Sequence, residues 1–235
     1  MIFECVKPIG ITTVEYLNEF NKNKTFNKIC FAGRLDPLAK GKLYILTDED
    51  IYKKDDFCDK DKIYETYVVK NFKTDTYDIM GIPYISNTTI ESDLMTKLSS
   101  NIPFTFNQQY PPYSSVIIKK YKKPYWLVTK LNLPLEDEEI PTKSVEIKEF
   151  LITDELKLKP LDLLNIIIDR ISKVNLNQNF RQTDIIQQWT LLLTNYSSDI
   201  TISKIQVTCS SGTYIRNIAN SMNGCCYDIN RLKYL

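Results

Sequence analysis

The sequence predicts an α+β protein folded as one domain, and three observations support this prediction. Segments typical of strands and of helices follow one another without the strict alternation of a doubly wound fold. The chain has 235 residues, 43% of them hydrophobic, which is enough to bury a core without disulfides. We find no internal repeat. These features indicate one domain, or one large domain that carries an insert.

The first half of the chain begins with a predicted amphipathic helix. Residues 11–22 place three apolar side chains, Val14, Leu17 and Phe20, at three-residue spacing behind a threonine suited to cap the first turn. Runs rich in β-branched and aromatic residues then favour strands. The elements expected here are strands over 40–48 and 61–72, a turn-rich loop over 74–81 and a helix over 91–102.

The second half mixes strands with two strongly apolar helices. Prolines define a loop that starts near residue 108, and it leads to a short strand, a basic turn at 119–123 and a short helix. The elements expected after it are an alternating strand within 133–152, two helices between 160 and 194, and a strand, a small-residue turn and a helix over 200–222. The two helices are most simply packing elements of an insert.

Composition excludes several classes of function. The chain has no histidine, which rules out Ser-His-Asp and Cys-His hydrolases. Its six cysteines form no C-x-x-C pair, so we expect no zinc or other metal site and no disulfide framework. The net charge of +1 favours no class of partner. We see neither a signal peptide nor an apolar run long enough to span a membrane, which indicates a cytoplasmic protein and leaves the nucleus or an organelle open.

One glycine-bounded stretch, "GRLDPLAKG" at residues 33–41, concentrates chemical groups in a turn. An aspartate before proline is commonly a structural turn residue, and this is the simplest interpretation of Asp36 taken alone. Under a functional interpretation, Arg34 holds the Asp36 carboxylate ionised, and Gly33 and Gly41 let a ligand approach the backbone. The stretch by itself leaves both open.

Six blocks in series favour the functional interpretation. They are "VKPIGITT", "GRLDPLAKG", "DKIYETY", "TDTYDIMG", "QYPPYSSV" and "CSSGTYIRNI". In this order the blocks resemble the TruB family of tRNA pseudouridine synthases, over most of residues 5–153 and 204–235. The resemblance implies a pseudouridine synthase fold, with a central mixed and mainly antiparallel sheet flanked by helices and loops. It also implies that no cofactor and no metal are needed.

The resemblance assigns three catalytic residues. Asp36 falls on the aspartate that attacks the target uridine or its ribose, and Tyr64 on the tyrosine that stacks on the base and takes part in proton transfer. Arg216 falls on the arginine that pairs with the carboxylate. Taken singly, Tyr64 and Arg216 are ordinary core or surface residues. Substrate-side positions implied by the same blocks are Lys7, Pro8, Phe31, Arg34, Leu35, Lys62, Asp75 and Leu232, the last closing the pocket.

The chain departs from the family pattern in ways that affect RNA binding. Phe31 stands where the family usually has a histidine against the RNA, so it can stack but not donate hydrogen bonds. A helical insert at about 155–198 is foreign to the bacterial pattern, and the chain stops after the core, where we expect no C-terminal PUA domain. The basic cluster at 119–123 is ordinarily a solvated turn, and here it falls where the resemblance implies an RNA-facing hairpin that could contact phosphates.

These observations leave three functions open. The first is a monomeric enzyme that converts a uridine, most simply the T-loop uridine (position 55) of tRNA, to pseudouridine. The second is the same chemistry on another RNA with partner proteins or a guide RNA. The third is a non-catalytic RNA-binding or RNA-folding protein on the same scaffold. The joint presence of Asp36, Tyr64 and Arg216 favours an enzyme, because a protein that only binds RNA does not need the three together.

Overall fold

The computed structural model describes residues 1–23, 26–86, 93–100 and 102–235, and it contains an eight-stranded sheet. The sheet order is β1-β3-β12-β4-β11-β10-β7, and β2 pairs with β3. The strands are β1 Ile2–Lys7, β2 Ile29–Ala32, β3 Ala39–Thr47, β4 Lys62–Lys70, β5 Phe72–Thr74, β6 Pro83–Ile85, β7 Phe104–Gln109, β8 Ile117–Ile118, β9 Lys123–Pro124, β10 Thr142–Leu158, β11 Ile200–Cys209 and β12 Gly224–Tyr234.

The sheet is mixed and mainly antiparallel, as the sequence predicts. β3 and β12 form the single parallel pair among its described strands, and the other pairs are antiparallel. The strands predicted over 40–48 and 61–72 are β3 and β4. Two further pairs, β5 with β6 and β8 with β9, form separate two-stranded sheets. The α+β class is therefore confirmed.

Seven helices accompany the described strands, and the first shows why this sequence makes one there. Thr12 caps α1 by accepting from the Glu15 amide, and the Glu15 carboxylate accepts from the Thr12 amide, so the helix start is satisfied on both sides. The helix predicted over 91–102 is α3, and positions 91, 92 and 101 lie outside the described residues. The helices are α1 Thr13–Asn21, α2 Lys54–Cys58, α3 Asp93–Ser100, α4 Tyr125–Lys130, α5 Pro160–Ser172, α6 Gln182–Thr194 and α7 Ile215–Ser221.

Hydrophobic clusters cover both faces of the sheet. Val68 and Val69 are neighbours on β4, so their side chains point to opposite faces, and both are fully buried. Val68 belongs to a cluster with residues of α7 and α3, whereas Val69 belongs to a cluster with residues of α5 and α6. The candidate site described below involves the loop between β2 and β3 and the start of α7.

The helices of the predicted insert pack directly on the sheet. Strands β10 and β11 stay paired as far as Leu158 and Ile200, and α5 and α6 occupy the chain between them. Trp189 of α6 is fully buried, and its ring centre lies 6.1 Å from that of Phe72. Its Nε1 donates to the Ile79 carbonyl at 3.0 Å. The insert thus shares a core with the rest of the fold and returns toward the loops around Asp36.

Candidate active site

The loop between β2 and β3 carries Asp36 in a closely held turn. The Ala39 amide donates to the Asp36 carbonyl at 3.0 Å, which closes the turn. Just before Asp36, the Leu35 amide and carbonyl both bond the Thr13 hydroxyl, at 3.1 and 2.8 Å. Gly41 follows with a φ of +118°, and a Cβ there would lie 2.3 Å from the Arg231 carbonyl. Packing on both sides therefore fixes the direction of the Asp36 side chain, which is 31% exposed.

Lys7 braces the same loop from inside. Its side chain is completely buried, and its ammonium donates to the carbonyls of Pro8 at 2.8 Å and Ala39 at 2.7 Å, and more weakly to that of Pro37 at 3.5 Å. Burial lowers the pKa of Lys7 to about 8, although the nearby Asp36 charge opposes the change. Since two of these carbonyls belong to the turn directly after Asp36, Lys7 helps to position the carboxylate through the backbone.

Arg216, in the first turn of α7, pairs with Asp36 through two contacts. The guanidinium Nε lies 2.8 Å from Oδ2 as an ion pair, and Nη2 donates to Oδ1 at 3.4 Å. A third group, Nη1, donates to the Thr76 carbonyl at 2.7 Å. The Arg216 side chain is only 4% exposed, so these partners leave it a single orientation. Two-point contact with a buried arginine orients the Asp36 carboxylate as well.

A second carboxylate, Asp78, faces the same guanidinium. Its Oδ2 lies 3.9 Å from the Arg216 Nε, and its Oδ1 accepts from the Thr76 hydroxyl at 2.8 Å and the Met80 amide at 2.9 Å. Burial raises the pKa of Asp78 to about 6, against the opposing influence of the arginine. Because Asp78 is buried and Asp36 is partly exposed, Asp36 is the carboxylate that a ligand can reach.

Asp36 and Arg216 open into a cavity of about 310 Å³, which we call the catalytic cavity. Tyr64 of β4 forms part of its wall with only 8% of its surface exposed, and burial raises the pKa of its phenol. Gly33, Gly212 and the backbone around them line another part. The cavity therefore brings an aromatic ring and a held carboxylate together on its walls.

Arg231 is a further residue of this cavity, and it was not predicted from the sequence. It is the cross-strand partner of Tyr64, is 1% exposed and lines the catalytic cavity. Its Nε donates to the Lys42 carbonyl at 2.7 Å and its Nη2 to the Gly33 carbonyl at 3.0 Å. Its burial depends on the pairing of β12 with both β3 and β4, and no local pattern in the sequence predicts that pairing.

A family model matches the part of the chain that carries Asp36 and Tyr64. The family model described as "TruB family pseudouridylate synthase (N terminal domain)" matches residues 21–159, more than half of the chain. The protein belongs to the TruB family. The match includes Asp36 and Tyr64, whereas Arg216 and Arg231 lie outside the matched range. The sequence-based identification of the family is confirmed.

Curated relatives of this TruB-family chain carry one name. A tRNA pseudouridine synthase B of Mycoplasma mobile is 35% identical over 133 residues, covering 56% of this chain and 42% of the relative. Another of Mycoplasma capricolum is 26% identical over 238 residues, covering 100% of this chain and 64% of the relative. The chain therefore spans less than two thirds of the length of either relative.

Solved structures share the fold across nearly the whole chain. A chain of an H/ACA RNP bound to a substrate RNA containing 2'-deoxyuridine aligns with a TM-score of 0.52 and 10% identity, covering 99% of this chain and 47% of that one. A chain of a Cbf5-Nop10-Gar1 complex aligns with a TM-score of 0.53 and 12% identity, covering 99% of this chain and 48% of that one. At these identities the likeness concerns the fold alone.

Several residues that the sequence places on the substrate side of this TruB-family site lie near the catalytic cavity. Leu35 and Lys62 line it and are themselves buried, and Lys62 donates to the carbonyls of Cys58 and Lys60, both at 2.5 Å. Burial lowers the pKa of Lys62 to about 8. Pro8 is exposed beside the buried Lys7.

Arg34 is placed differently from the expectation drawn from its spacing. The interpretation that it holds the Asp36 carboxylate is wrong, because its Nη1 donates to the Ser115 hydroxyl at 2.6 Å and Arg216 pairs with Asp36 instead. Its guanidinium also lies 5.8 Å from the ring of Phe31, which is half-buried on β2. Arg34 is exposed and lines the catalytic cavity, so it stays available to a ligand.

The structure also places Asp75 and Leu232 in surroundings that could not be predicted from the sequence. Asp75 forms an ion pair of 2.7 Å with Arg181 of the insert, so it ties the insert to the loop over 74–81. A β-bulge between Arg231 and Lys233 leaves Leu232 unpaired on β12. Leu232 is not among the described residues that line the catalytic cavity, and Arg231 is.

The described residues contain no group of three or more histidine, cysteine, aspartate or glutamate side chains arranged to hold a metal ion. All six cysteines are free thiols. None of the helices in the described part of the chain is long and apolar enough to cross a membrane.

Proposed function

We propose that this protein is a pseudouridine synthase that isomerises a uridine in RNA, with Asp36 as its nucleophile. The observation that supports this best is the pairing of Asp36 with Arg216 beside Tyr64 in one cavity. The carboxylate is held at two points and is still 31% exposed, so a ligand can reach it. Membership of the TruB family and relatives named tRNA pseudouridine synthase B support the same activity.

The reaction replaces the N1–C1′ glycosidic bond with a C5–C1′ bond and needs no external reactant. The N1–C1′ bond of the uridine breaks, the detached base rotates, and a C5–C1′ bond forms. The proton on C5 is lost and N1 gains one, so product and substrate have the same composition. A carboxylate beside the sugar can act as nucleophile or stabilise positive charge at C1′ while the two parts are separate. The target must leave its stack to reach the cavity.

Each described residue around Asp36 has a distinct role in this proposal. Tyr64 stacks on the base while it rotates, and its hydroxyl serves proton transfer at the sugar. Arg216 orients the nucleophile. Lys7 and Arg231 are positioning residues, since the first holds the backbone around Asp36 and the second holds Gly33 and packs beside Tyr64. On the substrate side we place Phe31 and Arg34 at the entrance and Leu35 and Lys62 in the cavity wall. Pro8, Asp75 and Leu232 are substrate-side positions that we propose from the family resemblance alone.

We propose the T-loop uridine of tRNA as the target, because the curated relatives are named for tRNA. The protein would act as a monomer in the cytoplasm, without a cofactor. The described parts of residues 1–235 would form a single catalytic domain, in which α5 and α6 are an insert over about 155–198.

Mapping of modified positions tests the proposal. Purified wild-type protein and its Asp36→Asn variant are incubated with unmodified tRNA transcript, and pseudouridine is located by chemical labelling and primer extension. We expect one primer-extension stop, in the T loop, with the wild type and none with the variant. A stop only in another RNA would transfer the activity to that substrate. RNA binding without any modification would overturn the enzymatic proposal.

A further inference from the structure

A second cavity of about 360 Å³ continues from the active site toward the insert, and we call it the insert-side cavity. It shares Asp36 and Arg216 with the catalytic cavity, so the two meet at the proposed nucleophile. One part of its wall is α4, which contributes Trp126 and Lys130. Another part is the connection between α5 and α6, residues 178–181. The insert therefore borders the path that leads to Asp36.

The connecting segment of the insert is held in place by three contacts with the catalytic core. Gln178 donates to the Glu15 carboxylate at 2.7 Å, and Arg181 donates to the Asp75 carboxylate at 2.7 Å. The Arg181 guanidinium also lies 4.7 Å from the Tyr113 ring centre. Arg181 has a φ of +64°, a left-handed conformation that is unfavourable for a non-glycine residue and that surrounding contacts must maintain. These contacts hold Arg181 at the wall of the insert-side cavity.

The lining of the insert-side cavity suits a single strand of nucleic acid. It contains four basic side chains, Arg34, Lys130, Arg181 and Arg216, and two acidic ones, Asp36 and Asp78. Trp126 is 42% exposed and offers its ring to this cavity. Proteins that bind single strands combine cationic side chains along the phosphates with aromatic rings on which bases stack.

Arg181 has donors left for a ligand. A guanidinium carries five N–H donors, and the hydrogen bond that the structure records for Arg181 uses one, on Nη1. Lys130 is exposed and forms no recorded ion pair with the described residues. The two cations are therefore available to a phosphate group, whereas Arg216 is occupied by Asp36 and the Thr76 carbonyl.

We infer that the insert contributes a nucleotide-binding subsite to this enzyme. The nucleotide next to the target uridine binds in the insert-side cavity, its base against Trp126 and its phosphate on Arg181 and Lys130. The inference rests on the proposed function, because the strand that delivers a uridine to Asp36 must continue into one of the cavities that meet there. Under the competing interpretation, the insert only packs on the sheet and Arg181 serves only its ion pair with Asp75.

Salt dependence of RNA binding separates these interpretations. The probe is an unmodified T stem-loop RNA, and its affinity is measured across a salt series for wild type, Arg181→Gln and Asp75→Asn. Loss of one phosphate contact lowers the slope of log affinity against log salt by about 0.7–0.9. We expect that decrease, with about tenfold weaker binding at moderate salt, for Arg181→Gln. Asp75→Asn breaks the same ion pair but leaves the guanidinium free to contact a phosphate, so its slope should not decrease.

A matched arginine elsewhere in the insert provides the control. Arg170 of α5 forms an ion pair of 2.9 Å with Asp228 and lies outside both cavity linings as described. Arg170→Gln therefore removes one guanidinium with its ion pair to Asp228 and its contact with the Tyr227 ring at 5.0 Å, and the salt slope should stay unchanged. Equal slopes for Arg181→Gln, Arg170→Gln and wild type would overturn the subsite. So would equal decreases in Arg181→Gln and Asp75→Asn, since these mark a structural ion pair.

Tryptophan fluorescence gives a second, independent measurement. The chain has two tryptophans, and Trp189 is fully buried, so a change on RNA addition reports Trp126. We expect quenching by the stem-loop in wild type and its loss in Trp126→Phe. No quenching at saturating RNA would contradict stacking on Trp126. If the wild type binds RNA but forms no pseudouridine, the proposed function fails, and the slopes still decide whether the subsite exists.

Discussion

Replacement of Asp78 by asparagine should make the protein more stable at neutral pH and leave it unchanged in acid. Asp78 is buried beside Arg216, and its Oδ1 accepts hydrogen bonds from the Thr76 hydroxyl and the Met80 amide. An asparagine Oδ1 accepts the same two bonds. The substitution therefore removes a buried negative charge and keeps both hydrogen bonds to Oδ1, while an NH2 group replaces the Oδ2 that lies 3.9 Å from the Arg216 Nε.

The magnitude follows from the pKa of Asp78. Burial raises it from 3.8 to about 6, despite the opposing charge of Arg216. Each pH unit between the two values is worth about 1.4 kcal/mol, so ionisation of Asp78 in the folded protein costs about 3 kcal/mol. The folded state binds this proton more tightly than the unfolded chain does. Its stabilising contribution is therefore complete below about pH 4 and is lost as the pH rises through 6.

Urea denaturation of wild type and Asp78→Asn at pH 4, 5, 6 and 7 measures this contribution. The free energy of unfolding of the variant minus that of the wild type should increase by about 2.5 kcal/mol between pH 4 and 7, since part of the roughly 3 kcal/mol is already lost at pH 4. The difference between the two proteins cancels the titration of the other carboxylates. A difference that stays constant over this range would refute the reasoning, because it would mean that Arg216 compensates the burial of Asp78 completely.

Three further substitutions test the residues around Asp36. Lys7→Met should lower the free energy of unfolding by about 2 kcal/mol and slow isomerisation, because buried carbonyls lose their donor; unchanged urea midpoint and rate would remove its positioning role. Tyr64→Phe should preserve RNA affinity and reduce the single-turnover rate, since the ring remains and the hydroxyl is lost; an unaltered rate would exclude the hydroxyl from proton transfer. Phe31→Ala should weaken RNA binding by about 1–3 kcal/mol in a titration if the ring stacks on a base, and equal affinity would place Phe31 outside the interface.

Local patterns in the sequence were sufficient for most elements of the fold. The capped start of α1 at Thr12 is written in adjacent residues, and the composition of residues 61–72 favours β4 directly. Strand and helix preferences act over a few residues, so a single sequence contains them. The parallel pairing of β12 with β3 joins residues far apart in the chain, and nothing local predicts it.

The direction of side chains at the site was harder to predict than their identity. Arg34 is two residues from Asp36, and spacing suggested that the two pair, but Arg34 is directed to Ser115. Likewise, Arg231 rather than Leu232 lines the cavity, and a β-bulge leaves Leu232 unpaired on β12. Lys7 illustrates a third limit, since a lysine at the end of a strand is ordinarily exposed, and only the fold shows that three carbonyls surround it. Such details depend on long-range packing.

The most direct test of the central claim is the single-turnover rate of Asp36→Asn on the T stem-loop, measured together with its RNA affinity. Asp169→Asn is the matched control, because Asp169 is 63% exposed on the insert. If Asp36 acts in the transition state, pseudouridine formation is lost while binding stays within about a few-fold of wild type. The control should match wild type in both. A variant that retains a near wild-type rate would contradict the assignment of Asp36 as the nucleophile.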